Sequence, residues 1–158
     1  VAEVKQFEKL REFVAGEKTA DLGTISPAGA LNVSPVFYWS DKQLRIYWLS
    51  ASKSEHSQNV AERADVALAI HCHAAEWREI RGVQMKGAVR IVEGKEREKI
   101  LKSYKKHFDL GAVFQLAILA STLYCFEPRW MRMTDNTQFF GEKFELTLFD
   151  KEWKVTRE

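Results

Sequence analysis

Cysteine is scarce in this 158-residue chain, and the two present, Cys72 and Cys125, stand far apart in no metal or redox spacing. Two buried thiols in a reducing cytoplasm are therefore expected. Charge of one sign is also lacking. The net charge is +2, too small to argue for nucleic acid as the main partner. No apolar run approaches the roughly 20 residues of a membrane helix. The longest, residues 112–120, is short and contains Gln115. The first residues carry no secretory signal pattern, so a cytoplasmic protein with no membrane partner is expected. Repeats, linkers and low-complexity segments are missing, and the length suits one domain over residues 1–158 with one core. No Ser/His/Asp or Cys/His spacing marks a hydrolase.

What the chain does have is the hydrophobic fraction of an ordinary globule, 46%, and aromatics somewhat in excess at 12%. Aromatic rings supply apolar area to a core and flat surface to a ring-shaped ligand. Val4, Phe7, Leu10 and Val14 recur at helical spacing among charged residues, which predicts an amphipathic helix over 1–14, ended by Gly16. Strands are predicted over 19–26, 31–39 and 44–49. Pro35 inside the second marks an edge or a bulge, because proline has no N–H to give to a ladder. Further strands are predicted over 65–73, 78–92 and 122–133. Gly82 and Gly87 mark bulges or close approaches there, and Pro128 marks a break. Helices follow the pattern over 93–108 and 112–119, with Gly111 between them, and 144–149 with 153–155 forms a final hairpin. Many short strands with few helices predict an α+β fold, a small antiparallel barrel with flanking helices.

Residues 49–60 hold the densest polar chemistry, with four serines, Lys53 and His56 between a strand and a helix. Ser52 and Glu55 have capping-box spacing, which starts the helix there. Lys53 then falls in the first turn, where the helix dipole disfavours a cation. A bound anion removes that conflict, since free N–H groups, hydroxyls and a cation at a helix start suit a phosphate. The alternative is a solvated capping loop with Lys53 in water. His71 and His73 share one strand face, but zinc needs three or four ligands and no nearby set completes them; no metal is expected. Lys102, Lys105, Lys106 and His107 form a basic helix end that the dipole favours.

The runs Thr24-Ile25-Ser26-Pro27-Ala28-Gly29, Asn32-Val33-Ser34-Pro35-Val36-Phe37-Tyr38, Ile46-Tyr47-Trp48-Leu49-Ser50 and Ser54-Glu55-His56-Ser57-Gln58-Asn59-Val60 come in a telling order. With Arg81-Gly82-Val83-Gln84-Met85-Lys86-Gly87 and Glu127-Pro128-Arg129-Trp130, the chain resembles the pyridoxamine 5′-phosphate oxidase-like FMN-binding split barrel. The resemblance covers roughly residues 19–137. Ile80-Arg81-Gly82-Val83-Gln84 and Thr134-Asp135-Asn136-Thr137 resemble one uncharacterised bacterial branch of that superfamily.

The resemblance implies a homodimer with FMN between subunits. It places the backbone of Val36, Phe37 and Tyr38, and Ser50, beside the flavin ring and ribityl chain. It assigns the phosphate to a Ser-Arg-Lys pattern that reads Ser54-Glu55-His56 here. Glu55 repels a phosphate and must point away, and Lys53 becomes the substitute cation. Ser34 also stands where the oxidases carry arginine. Gln84, if Val83 and Met85 face the core, turns outward, where its amide either serves a flavin's pyrimidine edge or meets solvent. Asn136 is expected to reach the flavin or substrate, with Asp135 fixing its loop. The oxidases' C-terminal Arg-x-His pair is missing, because no histidine follows His107; the pyridoxamine oxidase reaction itself is not expected. The implied function is an FMN-dependent oxidoreductase exchanging hydride or electrons between a nicotinamide or other donor and a small molecule. A non-enzymatic flavin- or haem-binding carrier or sensor is the alternative, and a cofactor-free dimeric barrel a third.

Overall fold

The computed structural model describes residues 2–108 and 112–157. Val1, the expected start of the first helix, and Gly111, the expected separator of two helices, lie outside the described residues. In chain order the elements are α1 (Ala2–Gly16), β1 (Thr19–Ile25), β2 (Leu31–Phe37), β3 (Trp39–Ser40), β4 (Ile46–Ser50), α2 (Glu55–Glu62), β5 (Asp65–His71), β6 (Arg81–Val92), α3 (Gly94–His107), α4 (Ala112–Ala120), β7 (Thr122–Asp135), β8 (Lys143–Phe149) and β9 (Glu152–Arg157).

Among the described residues nine strands form one antiparallel sheet in the order β2-β1-β5-β6-β7-β4-β3, with β8 paired to β7 and β9 to β8. The sheet curls until β2 and β4 approach each other without a ladder between them. That gap is the split of a split barrel, so the expected α+β fold with flanking helices is the fold observed. Alternation along the strands fills the interior: Leu22, Ile46, Trp48, Ile70, Met85, Phe126 and Met131 are all buried there. Leu10, Phe13 and Val14 of α1 close one side of this core. The opposite faces of β4 and β7 are apolar as well, and Tyr47, Leu123 and Cys125 pack beneath Ile100 of α3. Burial pushes the Cys125 thiol up to about 11, so it sits as an inert protonated group.

Several local expectations have visible causes. Pro35 lies on β2, an edge strand, where its missing N–H costs no ladder bond. Gly87 sits at a register shift between β6 and β7, and a Cβ there would lie 2.1 Å from the Glu127 carbonyl oxygen. Other expectations shift. The segment before β6 begins with a 3-10 turn at Trp77–Glu79 instead of a strand from residue 78. Leu44 is not the first strand residue; it holds a positive φ of 62° in the β3–β4 turn. Thr134 and Asp135 belong to β7, so the polar turn begins only at Asn136. Among the described residues no helix is long and apolar enough to cross a membrane.

Candidate functional site

The strand-to-helix junction after β4 gathers its polar groups as expected, but by a different local device. Helix α2 starts at Glu55 with Ser54 as its N-cap residue, and no side chain caps it. Ser52 is exposed in the preceding turn, so the expected Ser52–Glu55 capping box does not form. The Ser54 hydroxyl is engaged elsewhere: it donates to Ser57 Oγ at 2.8 Å. The first N–H groups of α2, which have no acceptor within the helix, are thereby left without a capping oxygen.

Ser50, at the end of β4, lies 2.6 Å from His56 Nε2 and 3.2 Å from Ser54 Oγ. Ser54 Oγ is also 3.2 Å from the same imidazole nitrogen. Three hydroxyls and one imidazole thus converge beside an uncapped helix start. Burial holds His56 below its ordinary pKa, against a smaller upward pull from Glu55, so the ring is neutral near pH 7. Lys53 stands one residue before the N-cap, exposed and with no partner among the described residues. Glu55 is exposed too. Helix α2 is anchored by a buried bond from Asn59 Nδ2 to Thr24 Oγ1, 3.0 Å long, which fixes the junction against β1.

Ser50 and His56 open into a cavity of about 200 Å³ at the split, walled by Pro35, Val36 and Phe37 of β2 and closed by Tyr104 and Ile118. Tyr104 donates a 3.1 Å hydrogen bond to the Phe37 carbonyl, and burial raises its phenol to about 12. Ligand pockets commonly measure about 300–1,000 Å³. This cavity is smaller than that range and would enclose only part of a nucleotide-sized ligand.

The expected site residues divide into those the fold collects and those it does not. Val36, Phe37, Ser50, Ser54 and His56 meet at the split, with Lys53 on the adjoining loop. The Tyr38 side chain is buried, with its hydroxyl donating to the Val14 carbonyl. Burial, with Glu17 nearby, keeps this phenol well above its ordinary pKa. Gln84 lies elsewhere, on the outer face of β6. There it lines a groove of about 310 Å³ with Gly23, Ala67 and Trp130, and Lys86 Nζ sits 4.7 Å from the Trp130 ring centre. Asn136 is spent on internal bonds: its amide donates to the Trp77 carbonyl at 2.8 Å and accepts from the Gly141 N–H at 3.1 Å. It pins a loop on which Trp77 and Phe140 meet edge to face at 5.1 Å. Asp135 accepts from Thr137 Oγ1 at 2.6 Å and lies 3.1 Å from Lys9 Nζ, which fits its expected role of fixing this loop.

Sequence reasoning gave Tyr104 no role at the site, and Ser57 and Asn59 none beyond their place in the run 54–60. Tyr104 shows only as one residue on the apolar face of a helix, and nothing local brings that helix to β2. His71 and His73 are exposed, and His71 Nε2 lies 3.3 Å from Asp21 Oδ2.

The pyridoxamine 5′-phosphate oxidase family model matches residues 7–135. The UPF0306 protein YhbP of Escherichia coli O157:H7 is 31% identical over 120 residues, 75% of this chain and 78% of that protein. A pyridoxamine 5′-phosphate oxidase-related, FMN-binding protein from Nostoc punctiforme superposes with a TM-score of 0.69 at 10% identity, covering 99% of this chain and 94% of that one. A heme binding protein from Mycobacterium smegmatis superposes with a TM-score of 0.71 at 19% identity, covering 89% of this chain and 57% of that one. At these identities the two superpositions are likenesses of fold.

Proposed function

Because this chain belongs to the pyridoxamine 5′-phosphate oxidase family, in the uncharacterised branch that includes YhbP, we propose that it is a homodimeric FMN-binding oxidoreductase whose flavin phosphate lies at the start of α2. The observation that carries the reading is the convergence of Ser50, Ser54 and His56 beside uncapped helix N–H groups, at the mouth of the cavity in the split. These groups fit a phosphate ester: the uncapped N–H groups donate to it, the polar side chains surround it, and the helix dipole favours its charge. Lys53 supplies the cation that Glu55 does not. Val36 and Phe37 offer the edge-strand wall along which the rest of the ligand extends.

When bound, FMN supplies the hydride or electron transfer. The chain's own part is to bind and orient. His56, neutral and already bonded to Ser50, holds a hydrogen-bonding position without adding charge. Tyr104 fixes the Phe37 carbonyl and so the shape of the wall. A second protomer covers the open surface, and such an interface buries more than roughly 1,000 Å² in total. Gln84 and Asn136 enter this reading only through the partner, Gln84 from the outer groove and Asn136 as the anchor of the aromatic loop.

The test is titration of the purified protein with FMN and with riboflavin, followed by mixing with NADH or NADPH. Lys53→Ala should weaken FMN by about 1–3 kcal/mol, the scale of a hydrogen bond to a charged group, and leave riboflavin nearly unchanged. Equal loss for both ligands sinks the phosphate assignment. FMN binding without reduction by any donor supports the carrier or sensor reading over an enzyme.

A further inference from the structure

A cavity of about 630 Å³ lies away from the split, between α1, the β3–β4 turn and α3. Its apolar wall is Trp39 and Ile100, and its rim carries Arg11, Lys42, Arg45 and Lys99 against Glu12 and Asp41. The rim is thus net cationic, and Asp41 holds one of its cations in place. Asp41, almost fully buried as a side chain, receives Arg45 Nε at 2.6 Å and Tyr47 OH at 3.2 Å on one oxygen. Its other oxygen accepts the N–H groups of Gln43 and Arg45, each at 3.0 Å. The Asp41 charge is therefore consumed in fixing the turn and the stem of Arg45. The two terminal nitrogens of the guanidinium make no bond among the described residues. Leu44, in the same turn, is fully buried with a left-handed φ of 62° and anchors the turn to the core.

We propose that this cavity binds a small aromatic carboxylate. The carboxylate takes the bidentate fork of Arg45, and the ring lies against Trp39 and Ile100. A planar guanidinium whose Nε is already committed presents its outer edge as two parallel donors, which matches a carboxylate and not a neutral alcohol. Lys42 and Lys99 add to the positive field, and Arg11 does so less because it pairs with Glu8. Glu96 of α3 does not oppose the anion strongly, because Arg90 holds it through bonds of 2.7 and 3.0 Å. The site shares no lining residue with the cavity at the split, so it stands or falls apart from the flavin reading.

The experiment is calorimetric titration of the full chain with benzoate and with benzyl alcohol, with and without saturating FMN. Benzoate should bind saturably in the millimolar range or tighter, benzyl alcohol at least about tenfold more weakly, and FMN should not compete. Arg45→Gln should weaken benzoate about tenfold or more. Lys99→Gln, an exposed change that leaves the turn intact, should weaken it by a smaller factor with unaltered circular dichroism. Three results overturn the proposal: no saturable benzoate binding up to about 10 mM, equal binding of acid and alcohol, or full benzoate affinity in a folded Arg45→Gln protein. Displacement of benzoate by FMN would place the acid at the split and overturn it equally.

Discussion

Gly87→Ala is the sharpest test of the barrel's geometry. The added methyl would lie 2.1 Å from the Glu127 carbonyl oxygen and 2.9 Å from both its carbon and Phe126 Cε2. The first distance is more than an ångström short of ordinary contact. The obstructing atom is backbone in the β6–β7 ladder, so no rotamer change relieves it. Moving the strands apart costs ladder hydrogen bonds, about 1 kcal/mol each, and overpacking adds about 1–3 kcal/mol. A loss of roughly 3–5 kcal/mol follows, which for a chain of this size lowers Tm by about 10 °C. The register shift at this point pairs Lys86 with Trp130 and Gly87 with Pro128, so the outer groove should be disturbed too. The control is Gly23→Ala, whose methyl would meet its nearest atom, the Ala67 carbonyl oxygen, at 3.5 Å. It should stay within about 1 kcal/mol of the parent. Thermal melts of both variants at one protein concentration decide the matter. A Gly87→Ala protein melting within about 2 °C of the parent refutes the close approach.

Trp48→Phe should be unusually mild for a fully buried indole, within about 1 kcal/mol by urea unfolding, because Nε1 is buried without a partner among the described residues and its removal recovers a desolvation cost. Asp135 is disfavoured by burial, but bonds from Thr137 and Lys9 outweigh this and hold its carboxyl below the usual range. Its contribution is present above the unfolded carboxyl value of about 4 and is lost as pH falls below it; Asp135→Asn should flatten the acid limb of stability against pH. His56, depressed by burial, binds its proton more readily when unfolded. Apo-protein stability should therefore fall as pH drops through about 6.5, and His56→Gln should reduce that slope. Asn136→Ala frees the Trp77 carbonyl and the Gly141 N–H. The loop should then show faster amide exchange, and unchanged protection there would mean the amide does not anchor it.

Most of the element order was legible in the sequence because apolar period and turn chemistry are local. Val4, Phe7, Leu10 and Val14 already face one way on an isolated helix, and Pro35 already excludes a central strand. Gly87 announced a close approach, though not to which backbone. The polar junction after β4 was legible as composition, with its helix start misplaced by two residues because Ser52 and Ser54 are equally good candidates until the turn is formed. What only the tertiary structure decided is everything that depends on how the sheet closes. The curl brings Val36 and Phe37 opposite Ser50 and His56 and lays Tyr104 over them, and it carries Gln84 to a different face. It also turns Asn136 inward to the Trp77 segment, because β6 and β7 pair Arg81 with Asp135. Such pairings join residues far apart in the chain, and no local propensity encodes a register that only the filled core enforces.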